Sequence, residues 1–145
     1  MGLFDIFKTS KKRKKDVTAS IFNKMEKETK DLQKAGQDWS MQNQRVRESR
    51  VSGMELEKLG DLYGAISAYE KSIEDGIKNP QTVIYNYAYS IDRLAILYRK
   101  TKQIDKEISF LSDMIIKHPR YEMKNKWKER REKAKALKEK QDAKK

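Results

Sequence analysis

The sequence contains no cysteine, two prolines and a single histidine in 145 residues. Without cysteine there is no disulfide framework and no thiol nucleophile, which fits a reducing compartment. With so little proline and only six glycines, long segments run free of helix breakers. No stretch approaches about 18 apolar residues, so no membrane-spanning helix is expected. The first apolar run, "LFDIF", is too short for the core of a secretory leader, and its basic residues follow it instead of preceding it. A metal site needs several His, Cys or clustered carboxylates at ligand spacing, and no such group stands out. The glycines at 36, 53, 60, 64 and 76 are scattered through helical patterns and make no phosphate-binding loop. His118 precedes Pro119 at a helix end and is read as helping to cap the last carbonyls. No catalytic residue, no metal and no cofactor is expected, and no small-molecule substrate. An enzyme would need a cavity with convergent polar groups that no spacing announces.

What the chain has is charge, unevenly placed. It is 39% charged, with a net charge of +12. Residues 1–15 carry six basic and one acidic side chain, and residues 120–145 carry twelve and five. Residues 51–119 carry nine basic and ten acidic, so a near-neutral body lies between two basic ends. Basic ends suit acidic partners: phospholipid headgroups, nucleic acid or acidic protein segments.

The body is patterned for helices. Ile84, Tyr87, Ile91, Leu94 and Tyr98 recur at spacings of three and four, predicting a long amphipathic helix that starts just after Pro80. Ile104, Ile108, Leu111 and Ile115 give its partner, which ends near His118. Ala65, Tyr69, Ser72 and Ile73 mark an earlier helix, with Asp61 as its N-cap and Gly60 in the preceding turn. Small residues at Gly53 and Ala65 would let helices approach closely. Placing Ala65 on Glu107 also places Tyr69 on Leu111 and Ile73 on Ile115, an internal repeat with an offset of 42 residues.

On the residues "GDLYGAISAYEKSIE" the chain resembles the second half of a tetratricopeptide (TPR) repeat, whose pattern runs Gly-Asp-x-x-x-Ala-Ile-x-x-Tyr-x-Lys-Ala. The second unit keeps the closing proline, Pro119, twelve residues after Glu107. The resemblance covers residues 46–119. The chain departs from the pattern at Ser72 and Glu107, where the family has Ala, and at Ser49 and Ser52, where Trp and Leu are common. The expected fold is all-α: about two TPR-like helix-turn-helix hairpins, residues 39–119, flanked by an N-terminal helix and a C-terminal basic capping helix. Val17, Ile21, Met25 and Leu32 form a stripe on the N-terminal helix, residues 16–38, which is expected to cover one open end and to break near Ala35–Asp38. Trp39 and Val46 lead into the first repeat helix. Met123, Trp127, Ala134 and Leu137 line the capping helix of residues 120–145, with Trp127 as a packing anchor.

The resemblance implies that the first helix of each repeat lines a partner-binding groove. The residues it places there are Arg47, Arg50, Met54 and Glu57, then Tyr89, Asp92, Arg93, Ile96, Arg99 and Lys100. Arginine pairs bidentately with carboxylates, so the expected partner is a protein with an acidic segment. Met54 and Arg93 stand where the family's chaperone-tail clamp has asparagines, so that ligand is not implied. The N-terminal tail, residues 1–15, has three functional readings. Phe4 and Phe7, with Leu3 and Ile6, suit insertion at an anionic membrane surface. Lys11, Lys12, Arg13, Lys14 and Lys15 also suit nucleic-acid phosphates or nuclear import. The chain is thus expected to be a non-catalytic adaptor, cytoplasmic and peripheral at a membrane where the tail binds lipid. The competing reading is a nucleic-acid-binding protein that uses both basic ends.

Overall fold

The computed structural model describes residues 3–80 and 82–144; the side chains of residues 3–16, 38 and 39 lie outside the described residues. Those side chains include Phe4, Phe7, Lys11, Lys12, Arg13, Lys14, Lys15 and Trp39. Among the described residues there are five α-helices and no strand, so the fold is all-α. The helices are α1 (Leu3–Lys58), α2 (Leu62–Lys78), α3 (Ala88–Lys100), α4 (Ile104–Lys117) and α5 (Lys124–Ala143). The chain divides into two units, residues 1–40 and 41–145.

In the first unit, helix α1 runs without interruption through Ala35–Asp38, where a break was expected. A single Gly36 among Ala, Gln and Lys weakens a helix by about 1 kcal/mol and does not end it. Val17, Ile21, Met25 and Leu32 are 53–73% exposed, so the expected covering role is not seen in them.

In the second unit, helices follow each other through two matching turns. At the end of α1, Gly60 takes φ +83°. Its N–H donates to Glu57 O at 3.0 Å, and the Asp61 N–H donates to Leu56 O at 2.9 Å. This six-to-one, five-to-two pairing is the Schellman motif, which satisfies carbonyls left open at a helix end. Asp61 then caps α2, its Oδ1 accepting from the Gly64 N–H at 2.9 Å. The same turn recurs after α3. Lys102 takes φ +62° and donates to Arg99 O at 3.0 Å, while Gln103 donates to Tyr98 O at 2.7 Å. Gly60 and Lys102 lie 42 residues apart, the offset of the sequence repeat. A lysine in left-handed backbone costs about 1–2 kcal/mol relative to right-handed helix.

The loop before α3 corrects one expectation. The helix does not begin after Pro80: Ile84–Asn86 form a 3-10 turn, and α3 starts at Ala88. Ile84 therefore packs from outside the helix, half-buried against the core.

One apolar core joins all five helices. It takes Val46 from α1, Tyr69 and Ile73 from α2, Ile91, Leu94 and Leu97 from α3, Leu111 and Met114 from α4, and Trp127 from α5. Each fully buried aliphatic side chain contributes about 1.5–3 kcal/mol. Close approach of α1 and α2 depends on Gly53, where an added Cβ would stand 2.6 Å from the Tyr69 ring. Ser72 is buried and donates to Val46 O at 2.9 Å; Ser90 of α3 donates to the Ser72 hydroxyl at 3.0 Å. Small hydroxyls here link three helices while keeping their own polar atoms satisfied. Of the α5 stripe, Trp127 and Ala134 are buried, but Met123 and Leu137 are exposed.

Candidate protein-binding surface

The residues assigned to a partner groove lie on the second-unit part of α1 and on α3. These two helices run in the same direction: Asn43 lies beside Asn86, and Glu57 beside Arg93. Helix α5 takes the same relation to α3, with Asp92 meeting Trp127 and Arg99 meeting the Arg130 carbonyl. Three successive pairs run antiparallel: Ser72 meets Val46 while Tyr69 meets Glu57, Tyr98 meets Glu70 while Ser90 meets Ser72, and Arg131 meets Ser112 while Lys138 meets Asp105. So α1, α3 and α5 form one layer and α2 and α4 the other.

The four expected arginines do not share one fate. Arg93 is held by Glu57, its Nε donating to Oε1 at 2.9 Å and its Nη2 to Oε2. The Tyr69 hydroxyl adds a third bond to that carboxylate at 2.7 Å. The Arg93 bonds hold the Glu57 carboxyl below its ordinary range, against the opposing effect of burial. Burial first, and the Glu57 carboxylate second, push the Tyr69 hydroxyl up.

Arg99 is held by Glu107, with Nε at 3.0 Å from Oε2 and Nη2 at 2.8 Å from Oε1. Arg130 closes the same site from α5, its Nε 2.9 Å from Glu107 Oε1. Glu107 is fully buried, and at the 42-residue offset it stands where the first unit has the small Ala65. A carboxylate there is tolerable only because two guanidiniums meet it. Arg93 and Arg99 are thus engaged within the chain. Arg47 and Lys100 are exposed, and Arg50 is half-buried with Nη1 3.3 Å from Asn86 O. Tyr89 is 42% exposed and meets the Tyr69 ring edge-on at 6.3 Å. Met54 and Ile96 are half-buried.

Trp127 meets its expectation and His118 does not. Trp127 is 2% exposed, as a packing anchor should be, yet it also makes a directional bond, its Nε1–H donating to Asp92 Oδ1 at 2.9 Å. The His118 side chain caps no carbonyl; its Nε2 lies 3.3 Å from the Tyr87 hydroxyl, and only its backbone N–H closes the helix, on Met114 O. Burial, then the neighbouring Lys117 charge, push the His118 imidazole below its ordinary value.

Sequence reasoning missed an apolar cleft between α2 and α4. It encloses about 330 Å³ and is lined by Ile73, Ile77, Leu94, Tyr98, Phe110 and Met114. Its rim carries two internal pairs, Glu74–Lys78 and Asp113–Lys117. The signal was present in the i, i+4 spacing of Ile73 and Ile77, and of Phe110 and Met114. Helical spacing alone does not separate a fully packed face from one with a gap.

Among the described residues, no three His, Asp or Glu side chains converge as a metal site, and no helix is long and apolar enough to cross a membrane. The chain matches no protein-family model, no curated protein and no solved structure at a significant level.

Proposed function

We propose that the unit of residues 41–145 is a non-catalytic, TPR-like adaptor that binds a protein through an acidic segment. Three observations support the TPR-like part: the alternating two-layer order of the helices, the antiparallel neighbours, and the matching turns at Gly60 and Lys102. The observation that carries the binding part is the basic charge on the α1–α3 layer that no ion pair takes up. Among the described residues Arg47 is exposed with no carboxylate partner, Arg50 meets only the Asn86 carbonyl, and Lys100 is exposed with the Glu57 carboxylate near enough to feel its charge. Arg93 and Arg99 act as positioning residues, holding that layer through Glu57 and Glu107.

The basic C-terminal helix favours this reading over a nucleic-acid site that reads bases by stacking. Its aromatic, Trp127, is buried against the core and bonded to Asp92, so it offers no free ring face.

The test uses labelled Glu- and Asp-rich peptides and fluorescence anisotropy. Arg47→Glu with Arg50→Glu is expected to weaken binding at least about tenfold without altering helicity by circular dichroism. Unchanged affinity would sink the acidic-segment reading. Arg93 is unsuitable for this purpose, because reversing it also leaves Glu57 without its guanidinium.

A further inference from the structure

We propose that residues 17–34 of α1 form a lipid-facing helix that lies in the surface of an anionic membrane, with the adjacent run Lys11–Lys15 supplying electrostatic attraction. The observation is an apolar face with nothing on it. Val17, Ile21, Phe22, Met25 and Leu32 are each more than half exposed, at 53–73%. At about 100° per residue, four of them fall within about 80° of helix circumference, and Phe22 widens the arc to about 140°. Lys27, Lys30 and Lys34 are centred on the opposite side. In sequence, Leu3 and Phe7 keep the same helical register, standing 18 residues, about five helical turns, before Ile21 and Met25.

Charge selects the occupant. Five consecutive basic residues, Lys11–Lys15, directly precede the exposed row. An anionic surface attracts them, and the apolar row supplies the second signal that stable attachment needs. A second copy of the chain is a poorer occupant. A two-helix seam requires an apolar residue between Met25 and Leu32, and Glu28 stands at that position. The arc is also wider than such a seam uses. A lipid interface accepts a wide arc, with Lys24 at its edge reaching toward headgroups. This inference is independent of the adaptor surface, since the two use different residues.

The experiment is flotation of the full chain with vesicles of phosphatidylcholine alone or of phosphatidylcholine with phosphatidylserine. The chain is expected to float with the anionic vesicles and not with the neutral ones. Ile21→Ser, Met25→Ser and Leu32→Ser together should lower the bound fraction at least about tenfold. Glu28→Gln should raise it, by removing an anion that stands within the apolar arc, between Val17 and Ile21 in angle. Three results would overturn the proposal: no flotation of the parent chain, flotation of the triple variant equal to the parent, or a dimer in sedimentation equilibrium that the triple variant abolishes while flotation is absent.

Discussion

Residues 17–37 of α1 and the whole of α5 are both highly charged helical stretches, yet only α5 is packed. The first stretch has the larger apolar inventory: Val17, Ile21, Phe22, Met25 and Leu32, all exposed. Helix α5 has Trp127 with Ala134, Ala136, Leu137 and Ala143, of which Trp127 and Ala134 are buried. The difference lies in polar reach. Helix α5 offers Arg130 to Glu107, Lys138 to Asp105 and the Trp127 indole to Asp92. Apolar content alone does not decide which helix joins a core; directional partners at matching height hold a sparse face in place.

The sharpest way to break that contrast is Glu107→Ala. It leaves Arg99 and Arg130 facing each other without their carboxylate, and should cost about 3–5 kcal/mol in urea unfolding. A loss under about 1 kcal/mol would mean that the Glu107 site does little to hold α5. Gly53→Ala comes next. Its Cβ would press on the Tyr69 ring at 2.6 Å, with an expected loss of about 1–3 kcal/mol in the same measurement.

Acidification should act in the same body, and in a set order. The His118 imidazole and the Glu57 carboxyl both have folded values below their ordinary ones. The unfolded chain therefore binds these protons more readily, so each group's contribution is complete above its ordinary value and is lost as pH falls through the folded one. Thermal stability should begin to fall below about pH 6.5 through His118, then fall further in the carboxylate range through Glu57. Removing the first phase by His118→Phe checks the assignment. The smallest effect belongs to the other region: Ile21→Ser with Met25→Ser should shift unfolding of residues 41–145 by less than about 0.5 kcal/mol, since both side chains are exposed. A larger shift would show that this face supports the folded body.

Much of the architecture was legible. The three-and-four spacing of Ala65, Tyr69 and Ile73, and of Ile104, Ile108 and Leu111, marked α2 and α4. Asp61 announced its own cap, because a short acceptor before an apolar helix has few other uses. The start of α3 was not legible, because Ile84 and Tyr87 keep a helical period while serving a 3-10 turn and the last residue before the helix. On the candidate surface, sequence placed Arg93 and Arg99 beside Arg47 and Arg50 as equals. It had no means of seeing that Glu57 and Glu107 come within bonding distance of the first two. The partners lie 36 and 8 residues away, so helix packing and a turn bring them together.

By itself the sequence determined an all-α chain with a near-neutral body between basic ends, the register of its helices and the 42-residue repeat, because these follow from local periodicity and composition. Tertiary structure decided which apolar stripes are covered, which charges are neutralised internally and where a carboxylate is buried. Those outcomes depend on contacts between residues far apart in the chain, and the same stripe of side chains reads alike whether or not a neighbour meets it. Glu107 carries the point. In sequence it is a charged residue 42 positions after the small Ala65; in the fold it is the anion on which Arg99 of α3 and Arg130 of α5 converge.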